Sequence, residues 1–213
     1  MTTMTSNSIK RALIVIDVQN EYVSGNMRIE YPDPATSLRN IGIAMDAALA
    51  AGIPILVVQH TAPETSPIFA RGSGAWQLHE VVKKRSFDHL IEKTMASSFV
   101  GTNVSAWLEK NQINTLSIVG YMTHNCNAST IYQAAHEGYT VEVLSDATGS
   151  LPYENEAGRA DAEEIHRVFN VVFQSNFAAV CTTENWLNAV ATQMTLEKSN
   201  VLSSHLAARA RSA

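Results

Sequence analysis

The sequence predicts an α/β protein built as a three-layer, doubly wound sheet of about six mainly parallel strands, with helices on both faces. Short, continuously apolar runs, such as residues 13–16 and 55–58, alternate with longer segments of helical periodicity. Continuous apolar runs are typical of parallel strands that are covered on both faces. The length of 213 residues suits one domain with a sizeable core, and no repeat, low-complexity tract or linker divides the chain. Residues 1–213 are therefore predicted to form a single domain, with a loose terminus at 1–9 and a tail from about 198 to 213.

Periodicity, caps and helix breakers place the elements along the chain. Residues 37–51 gather apolar side chains on one helical face, and Gly52 followed by Pro54 ends that helix. Strands are predicted at residues 13–16, 55–58, 88–92, 115–119, 140–144 and 178–181, and helices at 37–51, 77–82, 102–110, 127–137, 160–169 and 184–196. Alternating strands and helices predict right-handed crossovers and a parallel sheet, in which ligands bind beyond the carboxyl ends of the strands.

Composition narrows the kinds of partner. The formal net charge is −5, and no basic stretch offers the charge that nucleic acid or an anionic membrane surface requires, so neither is predicted as a partner. Two cysteines, Cys126 and Cys181, make a disulfide framework unexpected and fit a reducing compartment. The polar start lacks a signal-peptide pattern, and the first apolar run is too short for a membrane span. A cytoplasmic protein with a small-molecule substrate is the resulting prediction.

Cys126 occupies the most informative position in the chain. It follows the apolar run at 115–119 and directly precedes a segment, 127–137, that is predicted to be a helix closed by Gly138. A thiol at a strand-to-helix turn lies near the first helical N–H groups, which favour the nucleophilic thiolate. A buried structural cysteine is more often found inside a strand or on an apolar helix face, as we predict for Cys181.

Two further residues with matching chemistry follow other predicted strands. Asp17 comes after the first strand and Lys93 after the third, so both are expected at the same sheet edge as Cys126. An aspartate can take the proton of a thiol when burial raises its pKa, and a lysine supplies the cation that holds the thiolate. Without further evidence, Asp17 could equally cap a turn and Lys93 could be a solvated surface residue.

Several segments together resemble the isochorismatase-like cysteine hydrolases, a family that includes nicotinamidases and N-carbamoyl amide hydrolases. The matching segments are residues 14–20 with Asp17, 72–79, 93–99 with Lys93, 120–126 with Cys126, and 146–150. The resemblance covers about residues 10–190, and the order and spacing of the segments are more specific than any one of them. It implies the fold predicted above, a homo-oligomer (dimer or tetramer) and no cofactor.

The resemblance also implies a mechanism. Asp17 would take the proton of Cys126, Lys93 would stabilise the thiolate, and the thiolate would attack a carbonyl carbon. Backbone N–H groups of Met122 and Cys126 would bind the resulting oxyanion. In the family a cis peptide precedes this turn, which here would join Tyr121 to Met122. A thioester would then form and be hydrolysed, so that a C–N bond of a small amide or carbamoyl compound is cleaved.

The region after the second strand departs from the nicotinamidases. Those enzymes hold a metal with an Asp-x-His pair and a further histidine, whereas residues 59–64 here contain no such pair. His60 and His79 alone make a poor ligand set, so no metal is predicted. Siderophore-pathway isochorismatases lack the cysteine and hydrolyse a vinyl ether, so the presence of Cys126 favours carbonyl C–N chemistry.

Side chains in the loops are expected to select the substrate. Candidate substrate contacts, each also explicable as ordinary loop packing, are Gln19, Tyr22, Phe69, Trp76 and His124. The loops at 20–35 and 61–76 are predicted to shape the pocket, while the effect of Asn127 stays open.

Two other functions compete with the C–N hydrolase. An isochorismatase-type vinyl ether hydrolase on the same fold would need Asp17 but not Cys126. A non-catalytic binding or thiol-redox protein would show an ordinary Cys126 thiol with a pKa near ~8.5; the sequence has no Cys-x-x-Cys. A dinucleotide-binding dehydrogenase is disfavoured, since no Gly-x-Gly-x-x-Gly follows a strand.

Overall fold

The computed structural model describes residues 8–211, so most of the predicted loose N-terminus and the last two residues of the tail lie outside the described residues. The strands are β1 Arg11–Ile16, β2 Ile55–His60, β3 His89–Lys93, β4 Thr115–Tyr121, β5 Thr140–Gly149, β6 Tyr153–Asn155, β7 Gly158–Ala160 and β8 Ala179–Cys181. The helices are α1 Pro34–Ala50, α2 Glu80–Lys83, α3 Val104–Lys110, α4 Ala128–His136, α5 Ala162–Val172, α6 Thr183–Thr192 and α7 Val201–Ala210.

Six of the strands form one sheet in the order β3-β2-β1-β4-β5-β8, and every neighbouring pair is parallel. Helices α1, α2 and α6 contribute to the apolar core on one face of the sheet, and α3 and α4 contribute to the core on the other face. This arrangement confirms the predicted three-layer α/β fold. The strand order reverses beside β1, between β2 and β4, and such a switch point is where open α/β sheets bind ligands.

The central strands are buried because their side chains are apolar on both faces. All six residues of β1 and all seven of β4 are buried, and apart from Arg11, Thr115 and Ser117 they are nonpolar, which explains why residues 12–16 read as an unbroken apolar run. Alternate residues enter opposite cores: Leu13 and Val15 pack on one side of β1, while Ile14 and Ile16 pack on the other. Because side chains pack on both faces, the sheet is held rigid, and the loops at its carboxyl edge therefore begin at fixed positions.

Four segments differ from the sequence prediction. The expected tail contains helix α7, whose residues are all at least partly exposed. The polar stretch after residue 150 holds an antiparallel hairpin, β6–β7. Strand β5 runs on to Gly149 instead of ending at Leu144, and α6 ends at Thr192 because Gln193 adopts a left-handed conformation. None of the helices between residues 8 and 211 combines the length and the hydropathy that crossing a bilayer requires.

Candidate active site

The switch point brings Asp17, Lys93 and Cys126 to one edge of the sheet. Asp17 directly follows β1, Lys93 is the last residue of β3, and Cys126 lies in a π-helical turn, Thr123–Asn127, between β4 and α4. Lys93 starts on the edge strand and reaches past the end of β2 to the other two. All three residues are at most 4% exposed, so they meet in an environment from which bulk water is largely excluded.

Gly120 allows β4 to approach β1 closely at this point. Its φ is +107°, and a Cβ at this position would lie 2.0 Å from the carbonyl oxygen of Ile16. The register between β4 and β5 also shifts between Ile118 and Gly120. Because only glycine tolerates both the backbone angle and the contact, this residue sets the course of the chain into the turn that carries Cys126.

Lys93 is the centre of a compact polar group. Its Nζ lies 2.7 Å from Asp17 Oδ2 and donates a hydrogen bond to Cys126 Sγ at 3.1 Å. It also donates to the Met95 carbonyl at 3.1 Å and lies 3.3 Å from His60 Nδ1. The structure therefore brings together the three residues that the sequence singles out for thiol chemistry.

The surroundings keep the Cys126 thiol protonated in the free protein. Burial raises its pKa, the negative charge of Asp17 raises it further, and Lys93 counteracts only part of the effect, so that the pKa is about 12. This differs from the expectation that helical N–H groups favour a standing thiolate. Burial alone would lower the pKa of Lys93, but the charges of Asp17 and Cys126 outweigh burial and hold that pKa above its ordinary value. A thiol in this state needs a base when it reacts, and the Asp17 carboxylate lies in the same group.

One set of side chains within the described residues has the composition of a metal site. Ligand atoms of Asp17, His60 and Cys126 all lie within 4.8 Å of one another. The ammonium group of Lys93 contacts each of these three residues, so a positive charge already occupies the middle of the set. A metal ion there would face direct repulsion from Lys93. His79 does not join the group, since its Nδ1 accepts the backbone N–H of Val81 at the start of α2.

Backbone and side-chain contacts fix the conformation of the π-helical turn Thr123–Asn127, which is called the nucleophile turn after the role predicted for Cys126. The Met122 carbonyl accepts the N–H groups of Asn125 and Asn127, and the peptide bond from Tyr121 to Met122 is cis. The Asn127 side chain donates to the Gly120 carbonyl at 2.9 Å, which ties the end of the turn to its beginning. Asn127 thus serves to hold the turn, a role the sequence alone leaves open. The backbone N–H groups expected to bind an oxyanion, those of Met122 and Cys126, belong to this braced segment.

A cavity of about 250 Å³ opens beside Cys126. Its walls come mainly from the two loops that the sequence predicts to shape the pocket, together with the nucleophile turn. The lining residues are Tyr22, Met27, His60, Ala62, Ser66, Ile68, Phe69, Met122, Asn125 and Cys126. Tyr22 and Phe69, both expected as substrate contacts, line this space and pack against each other with ring centroids 5.2 Å apart. The cavity is small and largely apolar, which suits a compact ligand.

Gln19 and Trp76 hold loops in place and do not line the cavity beside Cys126. The Gln19 amide donates to the carbonyls of His60 at 3.0 Å and Trp76 at 2.7 Å, and its oxygen accepts the His60 N–H. The Trp76 indole donates to Thr61 Oγ1 at 2.9 Å. Sequence reasoning missed Glu21, whose buried carboxylate accepts the N–H groups of Asn26 and Phe69 and so joins the two pocket loops.

His124 belongs to the nucleophile turn but does not line that cavity. Its Nδ1 is 3.1 Å from Ser150 Oγ, and its ring packs edge-on against Tyr153 with centroids 4.9 Å apart. Burial and, to a smaller extent, the nearby His166 lower the pKa of His124 to about 4, so the imidazole is neutral at pH 7. His166 is buried and lies 3.0 Å from Thr123 Oγ1, which braces the turn from α5.

Comparison with known proteins places this fold and site in a family. Residues 11–185 match the family model of the isochorismatase domain. A solved structure of an isochorismatase-type protein from Burkholderia xenovorans LB400 has a TM-score of 0.95 and 58% identity, covering 96% of this chain and 98% of that one. The secreted isochorismatase effector Isc1 of Verticillium dahliae is 32% identical over 68% of this chain and 75% of its own length. The ureidoacrylate amidohydrolase RutB of Pseudomonas savastanoi pv. phaseolicola is 28% identical over 64% of this chain and 69% of its own length.

The chain therefore belongs to the isochorismatase family, a family of hydrolases, and the resemblance seen in the sequence is confirmed. These relatives include both an isochorismatase effector and an amidohydrolase. Family membership thus defines the protein as a hydrolase. It leaves open which of the two bond types considered in the sequence analysis is cleaved, a vinyl ether or a C–N bond.

Proposed function

We propose that this protein is a metal-independent cysteine hydrolase that cleaves a C–N bond of a small amide or carbamoyl compound. The observation that carries the proposal is the buried group in which Lys93 Nζ lies 2.7 Å from Asp17 and 3.1 Å from Cys126. A hydrolase of this type needs a nucleophile, a base and a fixed positive charge within contact distance, and these residues supply one each.

The first step is formation of the nucleophile as the substrate binds. The Cys126 proton passes to the Asp17 carboxylate, and the sulfur attacks the carbonyl carbon to form a C–S bond. Because the pKa of the thiol is raised to about 12, the thiolate is strongly nucleophilic once it forms, and Lys93 stabilises its charge at 3.1 Å. The positive charge comes from a lysine, so this step requires no metal ion.

The second step expels the nitrogen. Attack moves the carbonyl electron pair onto oxygen, and the N–H groups of Met122 and Cys126 stabilise that oxyanion. The oxyanion re-forms the carbonyl as the C–N bond breaks, and protonated Asp17 gives its proton to the leaving nitrogen. An amine or ammonia departs, and the acyl or carbamoyl group remains on Cys126 as a thioester or thiocarbamate.

The third step restores the enzyme. The Asp17 carboxylate takes a proton from water, and the hydroxide attacks the carbonyl carbon of the intermediate. The C–S bond breaks, and the sulfur recovers its proton from Asp17. The carboxyl group of Asp17 therefore acts alternately as proton acceptor and proton donor during the catalytic cycle.

Vinyl ether hydrolysis is the second candidate, because Isc1 is named as an isochorismatase effector and is 32% identical to this chain. That reaction uses the aspartate as an acid and has no use for a thiol. It predicts that an enzyme lacking the thiol keeps its activity and that Asp17→Asn loses it. Conversely, the position of Cys126 on the wall of the cavity supports attack on a carbonyl carbon.

The test is ammonia release from a panel of primary amides, N-carbamoyl compounds and ureides. Wild type is compared with Cys126→Ala and with the control Cys181→Ala, which removes the other buried cysteine. We expect release by wild type and by Cys181→Ala, and none above background by Cys126→Ala. Full activity of Cys126→Ala would contradict the proposal. Chorismate-like vinyl ethers, followed by loss of their absorbance, form the second arm and test the alternative.

Self-association into a dimer or tetramer is part of the proposal. Helix α7 has no buried residue, and its apolar side chains Val201, Leu202 and Leu206 are each more than half exposed. A ten-residue helix is marginal by itself in water, so contact with a second copy would explain its stability. Light scattering should give a mass of two or four times 23.2 kDa, and a mass of 23.2 kDa would contradict this part.

A further inference from the structure

A second cavity also borders the nucleophile turn. Its volume is about 390 Å³. Its lining includes His124 of the turn, Tyr153, Ala157 and Arg159 of the β6–β7 hairpin, and Ile165 and Phe169 of α5. The proposed chemistry makes no use of this space, and the sequence gives no hint of it because the hairpin residues are polar and exposed.

The two cavities meet at the nucleophile turn. His124 lines the second cavity, the next residue, Asn125, lines the first, and Cys126 follows directly. Tyr153 packs against His124 with ring centroids 4.9 Å apart. Burial raises the pKa of Tyr153, and a negative charge on Cys126 raises it further, which places the Tyr153 hydroxyl within electrostatic range of the nucleophile. Consecutive residues of the turn that carries Cys126 therefore line the two cavities.

The walls define the chemistry that this cavity accepts. Ile165 and Phe169 form an apolar side, and the exposed apolar surface of the lining exceeds its polar surface. His124 is neutral, because burial holds its pKa at about 4. Arg159 of the lining is exposed, and its positive charge is paired with Glu154 at 3.8 Å. The fitting group is thus uncharged and apolar, aromatic or branched aliphatic.

We propose that the β6–β7 hairpin and α5 form a subsite that receives the uncharged, apolar, non-reacting part of the molecule attacked by Cys126. Tyr153 and Phe169 are the specificity-determining aromatic residues of this subsite. Naming the occupant as part of a substrate rests on the proposed function, whereas the subsite itself is defined by its position beside the thiol.

The test uses covalent labelling, which needs no turnover. The full-length protein is treated with 2-chloroacetamide or with N-phenyl-2-chloroacetamide, and alkylation of Cys126 is followed by peptide mass spectrometry. In each case the sulfur forms a bond to the methylene carbon, chloride leaves with the electron pair of the C–Cl bond, and the thiol proton passes to Asp17 or buffer. The ratio of the phenyl rate to the unsubstituted rate is divided by the same ratio for glutathione.

A matched pair of hairpin variants assigns the preference to this cavity. Ala157→Trp fills the space, whereas Glu156→Trp adds the same side chain at the neighbouring exposed position, which is not part of the lining. For wild type and Glu156→Trp we expect a normalised preference of about tenfold for the phenyl reagent. For Ala157→Trp the preference should fall toward one, and Ala157→Leu, a smaller filler, should give an intermediate value.

Two results would overturn the inference: no phenyl preference in wild type, or an undiminished preference in Ala157→Trp. The second result would assign the phenyl group to the cavity lined by Tyr22 and Phe69. Ammonia release decides the proposed function separately. A phenyl preference without ammonia release from any amide would support the subsite and contradict the C–N hydrolase. Ammonia release without a phenyl preference would support the C–N hydrolase and contradict the subsite.

Discussion

The Lys93 ammonium group lies 2.7 Å from the Asp17 carboxylate, and both side chains are completely buried. Removing one member of a buried ion pair leaves an uncompensated charge in an apolar environment. Each charge therefore compensates the other in the folded protein, and this effect on stability can be separated from the proposed chemistry by mutation.

For Lys93→Met we expect a loss of about 3–5 kcal/mol in the free energy of unfolding, because Asp17 is left buried without its partner. The double variant Asp17→Asn with Lys93→Met should regain much of that loss, since neither buried charge remains. Activity on any amide that wild type hydrolyses should stay at least ~10²-fold lower in both variants. Urea unfolding and kcat/KM provide the two measurements. A double variant no more stable than Lys93→Met would show that the charge is not the cause.

The ionisation of the thiols in the folded state is testable by absorbance. Burial raises the pKa of both cysteines, Cys126 and Cys181, to about 12. The unfolded values lie near ~8.5, so between these limits the unfolded chain releases protons that the folded protein keeps. The free energy of unfolding should therefore decrease as the pH rises above about 8.5.

Thiolate absorbance near 240 nm should be low in the folded protein at pH 9 and should increase by the signal of both cysteines upon unfolding in urea. The variant Cys126→Ser should show about half of that increase. A thiolate signal in native protein at pH 8 that disappears in Cys126→Ser would show the opposite balance, with the helical N–H groups outweighing burial.

Gly120 is expected to be indispensable for the close approach of β4 to β1. In Gly120→Ala the new Cβ would lie 2.0 Å from the Ile16 carbonyl oxygen at a φ of +107°. We expect failure to fold or a loss of at least ~3 kcal/mol. The control is Gly138→Ala, where φ is +91° but no atom lies within 4 Å of the added Cβ, so only backbone strain of about 1–2 kcal/mol applies. Equal losses in the two variants would refute the role of the contact.

Acid should destabilise the protein through two histidines, the buried His166 and the half-buried His124. Burial lowers the pKa of His124 and of His166 to about 4. As the pH falls from 6.5 toward 4, the unfolded chain binds protons that the folded protein does not, so the free energy of unfolding decreases by about 2–3 kcal/mol for each residue. His166→Gln should flatten this dependence, and His205→Gln, on the exposed helix α7, should leave it unchanged. An identical acid slope in wild type and His166→Gln would contradict the assignment.

The sheet and the three polar residues at its edge could be predicted from sequence because both depend on local pattern. Buried parallel strands read as apolar runs, and residues that directly follow such strands collect at one edge. Asp17, Lys93 and Cys126 thus meet although 76 residues separate the first two and 33 the last two, counting from their positions in the chain.

The features that the sequence could not reveal depend on contacts between residues that are far apart in the chain. Gln19 was a candidate substrate contact, but its amide is engaged by the backbone of two distant loops. Tyr153 sits in a segment without alternating apolar residues, because β6 and β7 are largely exposed, and exposed strands leave no hydrophobic pattern. Helix α7 likewise buries no residue, so its sequence lacks the amphipathic pattern that would predict a helix.

The raised pKa of Cys126 also determines how the protein tolerates oxidants. Peroxide reacts with thiolates, and oxidation beyond sulfenic acid destroys a cysteine irreversibly. A nucleophile that stays protonated and 4% exposed until a carbonyl compound reaches it presents little thiolate to peroxide while idle. In the proposed cysteine hydrolase, keeping the proton on sulfur between turnovers would extend the working life of an enzyme that depends on one thiol.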